Sequence, residues 1–200
     1  GAEVISASNK RYVIKKIAKE SMEDFPNILR RIFLLLNEMI ETFIEGVTES
    51  DKEILESLEF KHENIKKFIN FSLRLLNKYG YPDSKKTCLY YTIISLLSKI
   101  DDIIKNNARY ILKHEIELKN QNIFALLKEI KSSLNLNYIL FYNYDLKKIA
   151  QLTEQRDIFK NKLYKIHEKM SKEENLIIGA MSQIIELILD LSELRLAVGE

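Results

Sequence analysis

The chain is poor in the residues that break or cross-link a polypeptide. Its 200 residues include one cysteine, two prolines, five glycines and no tryptophan. A single thiol excludes a framework of internal disulfides and is typical of a reducing compartment, so we expect a cytoplasmic location. We interpret Cys88 as a small buried apolar residue on a helix. Because helix-breaking residues are so few, long helices are favoured over a loop-rich fold.

The chain also lacks an excess of charge of either sign and any long apolar run. Its 31 basic and 29 acidic residues give a net charge of +2, which excludes the strongly basic surface of a general nucleic-acid-binding protein. The most apolar runs, residues 32–36 and 138–142, are far shorter than the roughly 20 residues that span a bilayer. We therefore predict no membrane span and no direct nucleic-acid binding by these residues. With 46% hydrophobic and 30% charged residues, the composition is that of a globular protein.

Hydrophobic periodicity and helix-boundary residues predict six helices. Gly46 is the predicted C-cap of the first helix, and Ser84 is the predicted N-cap of the third. Ser50 with Glu53, and Ser171 with Glu174, have the spacing of capping boxes that begin the second and sixth helices. The predicted helices cover about residues 26–46, 50–79, 84–119, 123–142, 145–170 and 171–198. Residues 1–23 are interpreted as an N-terminal segment or linker, with residues 11–17 extended or partly helical.

The two halves of the helical part resemble each other in sequence. Asp51, Leu55, Leu58, Glu63, Ile65 and Ile69 correspond, at a constant offset of 94, to Asp145, Ile149, Leu152, Asp157, Phe159 and Leu163. The third and sixth helices correspond at an offset of 88. The fold predicted is therefore all-α, with two tandem three-helix repeats that form an elongated antiparallel six-helix bundle. The first repeat is assigned to residues 24–119 and the second to residues 120–200.

Acidic residues one turn apart on the predicted helices are the candidate metal ligands. Glu186, Asp190 and Glu193 fall within an arc of about 60° on the sixth helix. Carboxylates in such an arrangement, met by acids from a neighbouring helix, suit a hard or borderline cation. The alternative is the solvated face of an amphipathic helix. The candidate ligand set is Glu186, Asp190, Asp157, Asp102, Glu63 and Glu59.

The corresponding face in the first half is less complete. Ser98 stands where the second half has Glu186, so the pair of acids is broken. Lys105 lies three residues after Asp102 and is expected to neutralise it in part. If metal binds, the second half is therefore the better candidate. Otherwise no cofactor is expected.

The histidines and the aromatic residues each have a functional and a structural interpretation. Glu59 and His62 match the Glu-x-x-His element of ferritin-like di-iron bundles, but no second such element follows, so we expect the three histidines on the surface. The aromatic residues near the end of the fourth helix are interpreted as core packing or a partner-facing patch rather than a platform for bases. They are Tyr138, Phe141, Tyr142 and Tyr144. The chain carries none of the common nucleotide-binding or hydrolase motifs, and we do not expect an enzyme.

The two three-helix repeats, with acidic residues at equivalent positions, resemble the PhoU family of phosphate-uptake regulators. Members of that family carry an E(D)xxxD motif on the third helix of each repeat. Here residues 97–102, with Asn106, follow the pattern except that Ser98 replaces the acid, whereas residues 185–190 keep both acids. The likeness covers about residues 24–198. Archaeal relatives have a small DNA-binding domain before the helices, and the start at Gly1 would fit a fragment that lacks it.

The resemblance implies a cytoplasmic brake on phosphate import. Family members bind iron or zinc clusters through the motif acids, and they contact the ATPase of the phosphate ABC transporter and a sensor kinase. The partners expected for this chain are therefore those proteins. The alternatives are the effector or dimerisation domain of a transcriptional regulator and a ferritin-like metal-binding bundle. The oligomeric state stays open, a homodimer included.

Overall fold

The computed structural model of the chain describes residues 2–8, 11–16 and 21–199. Within these residues, two antiparallel strands precede six α-helices. The strands are β1 (Ala2–Ser8) and β2 (Arg11–Lys16). The helices are α1 (Phe25–Glu49), α2 (Lys52–Tyr79), α3 (Thr87–His114), α4 (Gln121–Tyr142), α5 (Leu146–Ile166) and α6 (Lys172–Val198). The predicted helical architecture is confirmed, and the hairpin adds extended structure where the prediction left the N-terminal segment open.

Side-chain caps decide where several of the helices begin. The capping box of α6 is present as predicted: Ser171 accepts a hydrogen bond from the backbone of Glu174, whose side chain accepts one in return. The predicted cap of α2 is wrong by one residue. Asp51 accepts from the backbone N–H groups of Glu53 and Ile54 at 2.8 and 3.1 Å, while Ser50 adopts a left-handed conformation as the last residue of the preceding turn (φ 54°).

Gly46 does not end α1, contrary to the prediction. The helix continues for another turn to Glu49. A Cβ atom at Gly46 would lie 2.8 Å from Cδ2 of Leu55 on α2. The glycine therefore allows α1 and α2 to approach each other closely beside their connection, and this close approach explains the residue better than a helix stop does.

The third helix is shorter at both ends than predicted. Asp83, rather than Ser84, provides the cap of a short 3₁₀ turn, and α3 begins only at Thr87. Its other end is at His114, where Glu115 takes the left-handed conformation that terminates a helix (φ 51°). Residues 116–120 then form a non-helical linker to α4. Similarly, α5 ends at Ile166, four residues before the predicted end, and a 3₁₀ turn follows it.

The helices pack in two groups of three. Helices α1, α2 and α3 contact one another, as do α4, α5 and α6. The two groups meet where α1 contacts α4 and where α3 contacts α6. A single hydrophobic core runs through both groups, with Phe25, Phe33, Phe43 and Phe159 among its fully buried side chains. The arrangement brings the third helix of each repeat against the second helix of the same repeat.

The second repeat is packed more loosely on its outer side. Helix α5 buries only Leu152 and Phe159, and it leaves Ile158 and Tyr164 exposed. Cys88, at the start of α3, is exposed rather than buried as predicted. Among the described helices, α6 is long and apolar enough to cross a membrane by length and composition alone. It contacts α3, α4 and α5, which is the environment of a core helix in a helical bundle.

Candidate functional site

The acidic motif of the first repeat lies on α3 and faces α2. The ammonium group of Lys66 on α2 donates hydrogen bonds to Ser98 Oγ at 2.6 Å and to Asp102 Oδ2 at 2.8 Å. It also lies 3.6 Å from Asp101 Oδ2. The neutralisation by Lys105 predicted from sequence is present but weaker, with 3.8 Å between its Nζ and Asp102 Oδ1. Lys66 therefore provides the principal positive charge at the motif.

Asp101, which was not among the predicted ligands, is the buried member of the cluster. Its side chain is fully buried, and its Oδ2 lies 2.7 Å from His62 Nδ1. The other carboxylate oxygen has no hydrogen-bond partner among the described residues. Burial raises the pKa of Asp101 to about 6, against the opposing effect of the neighbouring His62 and Lys66. His62 is thus half-buried in an interhelical contact, so the prediction of a surface histidine is wrong for this residue.

The sequence did contain an indication that Asp101 is buried. It follows Leu97 by four residues and precedes Ile104 by three, and both of these are fully buried. An acid in the apolar stripe of a helix requires a polar partner, because an unpaired buried charge is costly. The partner, His62, lies on another helix, so the spacing along α3 does not identify it.

The second repeat uses the same lysine contact. Lys160 on α5 lies 2.7 Å from Glu186 Oε1 on α6. Lys160 corresponds to Lys66 at the offset of 94, and Glu186 corresponds to Ser98 at the offset of 88. In each repeat, therefore, a lysine of the middle helix contacts the first position of the motif on the third helix. Asp190, at the second position, is exposed.

The buried acid–histidine pair is specific to the first repeat. Leu189 stands at the position of Asp101, and Arg156 stands at the position of His62. Arg156 instead makes an ion pair with the adjacent Asp157 at 2.9 Å. The second repeat therefore has an apolar contact where the first has a buried carboxylate.

The remaining predicted ligands on α2 do not share a site. Glu59 forms a bidentate ion pair with Arg109 of α3, with distances of 2.6 and 2.8 Å. The hydrogen bond from Arg109 holds the pKa of Glu59 below its ordinary value. Glu63 is exposed. Because Glu59 is paired with Arg109 and His62 with Asp101, the Glu-x-x-His element does not form a joint metal site here.

One group of potential metal ligands lies between α2 and α3. Among the described residues, His62, Asp101 and Asp102 are the group of three potential ligands whose atoms lie within 4.8 Å of one another. The ammonium of Lys66 lies against both carboxylates of that group. Bound metals require free carboxylates, and a neighbouring ammonium opposes a second cation. As arranged, these side chains do not fit a metal cluster, and metal binding by the six predicted ligands stays a prediction.

In the aromatic group at the end of α4, Phe141 is buried in the core, Tyr138 and Tyr144 are partly buried, and Tyr142 is 43% exposed, so core packing holds for Phe141. The ring centroids of Phe141 and Phe33 are 4.7 Å apart, and those of Tyr138 and Tyr142 are 5.2 Å apart. Arg30 donates a hydrogen bond to the Tyr138 hydroxyl at 3.1 Å. These contacts join α1 to α4 and so hold the two repeats together.

Comparison with known proteins finds similarity at the level of structure. No family model and no curated protein matches the chain. The phosphate transport system regulatory protein PhoU from Streptococcus pneumoniae superposes with a TM-score of 0.68 at 17% identity, over 90% of this chain and 96% of that one.

Two proteins from Shewanella oneidensis superpose less closely. A putative PhoU-like phosphate regulatory protein gives a TM-score of 0.51 at 13% identity, over 89% of this chain and 92% of that one. A PhoU-like protein gives 0.50 at 14% identity, over 92% and 95%. Similarity of this kind establishes architecture, and the helical part of this chain has the fold of the PhoU phosphate regulators.

Proposed function

We propose that this chain is a PhoU-like regulator of phosphate uptake that acts in the cytoplasm through protein–protein contacts. The observation that carries the proposal is the extent of the structural match, which spans 90% of this chain and 96% of the pneumococcal PhoU. A match over nearly the whole of both chains means that the two share an overall fold and not only a fragment of it. A likeness confined to one helical hairpin would carry much less weight, since hairpins recur in unrelated folds.

The character of the described side chains supports a binding role. The polar groups between α2 and α3 are satisfied mainly by each other, through Lys66, Ser98, Asp102, His62 and Asp101. Such a network holds two helices in a fixed relation, and it contains no nucleophile activated by a general base in an open cleft. A rigid scaffold whose polar network is internal is suited to presenting a surface to another protein.

The proposed partners follow the family resemblance. They are the ATPase subunit of a phosphate ABC transporter, with a sensor kinase as the second possibility. The proposed regulation does not require a metal ion, so the prediction of bound iron or zinc is tested separately from it.

The function is tested in the host organism by deleting the gene and measuring entry of radiolabelled phosphate in phosphate-rich medium. We expect faster uptake in the deletion strain and recovery of the normal rate when the wild-type gene is restored. Uptake that is unchanged by the deletion, over a range of phosphate concentrations, would contradict the proposal.

The mode of action is tested with purified proteins. The full chain is titrated into the transporter's ATPase subunit and, separately, into the cytoplasmic part of the sensor kinase, with calorimetric detection. Saturable binding to either supports regulation by contact. An altered uptake rate in cells together with no binding to either protein would contradict the proposed partners while leaving the regulatory role intact.

A further inference from the structure

We infer that Lys66 and Lys160 are built-in counter-ions that occupy the cation positions of the two acidic motifs, so that this chain works without metal at those motifs. We also infer that His62, Asp101 and Asp102 form a latent zinc site, which cannot bind zinc while Lys66 contacts its carboxylates. Both statements concern the motif positions alone and do not depend on the proposed role in phosphate uptake.

The repetition of the contact is the first line of support. An isolated ion pair on a helical surface is common and carries little weight. Here the same residue type, at equivalent positions of α2 and α5, contacts the same motif position of α3 and α6. Both lysines contact this position although the residue there differs, being Ser98 in one repeat and Glu186 in the other. The lysine contact and the aspartate at the second position are therefore common to the two motifs, whereas the acid at the first position is not.

The environment of Lys66 is the second line of support. A lysine ammonium has three donors, and oxygen atoms of the motif lie at 2.6, 2.8 and 3.4 Å from it, namely Ser98 Oγ, Asp102 Oδ2 and the Ser98 carbonyl. The side chain is only 24% exposed. A partly buried ammonium surrounded by oxygen atoms is placed as a bound cation would be. A divalent ion can reach the same oxygen atoms only if Lys66 moves away.

Removal of Lys66 would leave a recognisable ligand set. His62, Asp101 and Asp102 offer one nitrogen and two carboxylate groups with their ligand atoms within 4.8 Å of one another. Imidazole and carboxylate ligands are a combination that zinc accepts, with water completing the coordination. The second repeat has no such set, because Leu189 and Arg156 replace the buried acid and the histidine. The latent site should therefore exist in the first repeat only.

The test measures zinc binding to tag-free full-length protein that has been stripped of metal with a chelator. Wild-type protein, Lys66→Ala and Lys160→Ala are titrated with zinc chloride in a calorimeter, and metal retained after gel filtration is measured by elemental analysis. We expect Lys66→Ala to retain about one zinc ion per chain, because a three-ligand site is uncovered. We expect wild type and Lys160→Ala to retain none above background.

The controls separate the site from general effects of removing a lysine. Lys66→Arg keeps the positive charge and should retain no zinc. Lys162→Ala removes a lysine of the same helix as Lys160 that pairs with Glu129 instead of the motif, and it should behave as wild type. Adding His62→Ala or Asp102→Asn to Lys66→Ala should abolish the gain.

Two outcomes would overturn the inference. Stoichiometric zinc or iron in the wild-type protein, lost in the variant with both Glu186→Ala and Asp190→Ala, would show that the motifs bind metal despite their lysines. A Lys66→Ala protein that keeps its helical circular dichroism and cooperative melting but binds no zinc would refute the latent site. If Lys66→Ala does not fold, Lys66→Gln provides the same comparison, since glutamine preserves most of the side-chain volume without the charge.

Discussion

Glu174 connects the linker between the two repeats to the start of α6 through hydrogen bonds. The residue is 6% exposed, and its Oε1 accepts hydrogen bonds from the backbone N–H groups of Lys119 and Asn120, each at 2.9 Å. Oε2 accepts a third from the backbone of Ser171, also at 2.9 Å. One side chain therefore satisfies three backbone donors, two of which belong to the connection between α3 and α4.

Replacing Glu174 with alanine removes the carboxylate that the three donors share. A hydrogen bond to a charged group contributes about 1.5–3 kcal/mol, and a helix cap about 1 kcal/mol. The linker is near the surface, so water can replace part of what is lost, and we expect Glu174→Ala to lower the free energy of unfolding by about 3 kcal/mol. For a chain of this size, that loss corresponds to a decrease in melting temperature of about 6–12 °C.

Urea unfolding followed by circular dichroism measures this loss. Glu173→Ala is the matched control, because Glu173 is an exposed acid in the same first turn, and its loss should stay within about 0.5 kcal/mol. Glu174→Gln should lie between the two, since its amide oxygen can still accept from the linker. A loss for Glu174→Ala no larger than that of Glu173→Ala would refute the role assigned to this carboxylate.

The contribution of Glu174 should also depend on pH. Burial acts to raise the pKa of Glu174, but the backbone donors at Ser171, Asn120 and Lys119 together outweigh it and hold the pKa below the ordinary value of 4.5. A carboxyl group with a lowered pKa in the folded state stabilises the protein above its unfolded pKa. The stabilisation is lost as the pH falls through the folded-state pKa. The difference between wild type and Glu174→Gln should therefore shrink in acid, and a difference that stays constant down to pH 2 would contradict this reasoning.

Two further predictions concern residues whose roles the structure revealed. Gly46→Ala should destabilise the fold by about 1–3 kcal/mol despite the better helix propensity of alanine, because the new methyl group overlaps Leu55. Gly179→Ala has open space around it and should be neutral or stabilising by up to about 1 kcal/mol. Urea unfolding should thus show a clear loss of stability for Gly46→Ala and no loss for Gly179→Ala. Asp101→Ala should cost about 3 kcal/mol, because it removes a fully buried carboxylate that is the hydrogen-bond partner of His62. The loss should be clearly larger than for Asp102→Ala at the neighbouring position, where the side chain is 39% exposed. Equal losses at positions 101 and 102 would argue against the buried pair.

Much of the fold could be predicted from the sequence because helix periodicity and capping are local. The six helices and the capping box at Ser171 and Glu174 depend on residues a few positions apart, and both are confirmed. Gly46 was misinterpreted because a glycine near a helix end is consistent with a stop or with a close interhelical approach. Only the position of Leu55 on the next helix distinguishes the two.

The candidate site was less predictable because its contacts join different helices. Asp101 was overlooked because its partner His62 precedes it by 39 residues. The lysine contacts were overlooked for the same reason, although the alignment of the two halves places Lys66 on Lys160. The sequence therefore contains a lysine at the same position of both repeats. Its contact with the acidic motif can be recognised once the helices are known to be neighbours.

The central claim is that a lysine of the middle helix neutralises the acidic motif in both repeats. It is tested most directly by a crystal structure of the wild-type protein grown with zinc, with anomalous data collected at the zinc edge. We predict Nζ of Lys66 within hydrogen-bond distance of Asp102, Nζ of Lys160 within hydrogen-bond distance of Glu186, and no anomalous peak at either place. A zinc peak coordinated by Asp102 or Glu186, with the lysine displaced, would contradict the account.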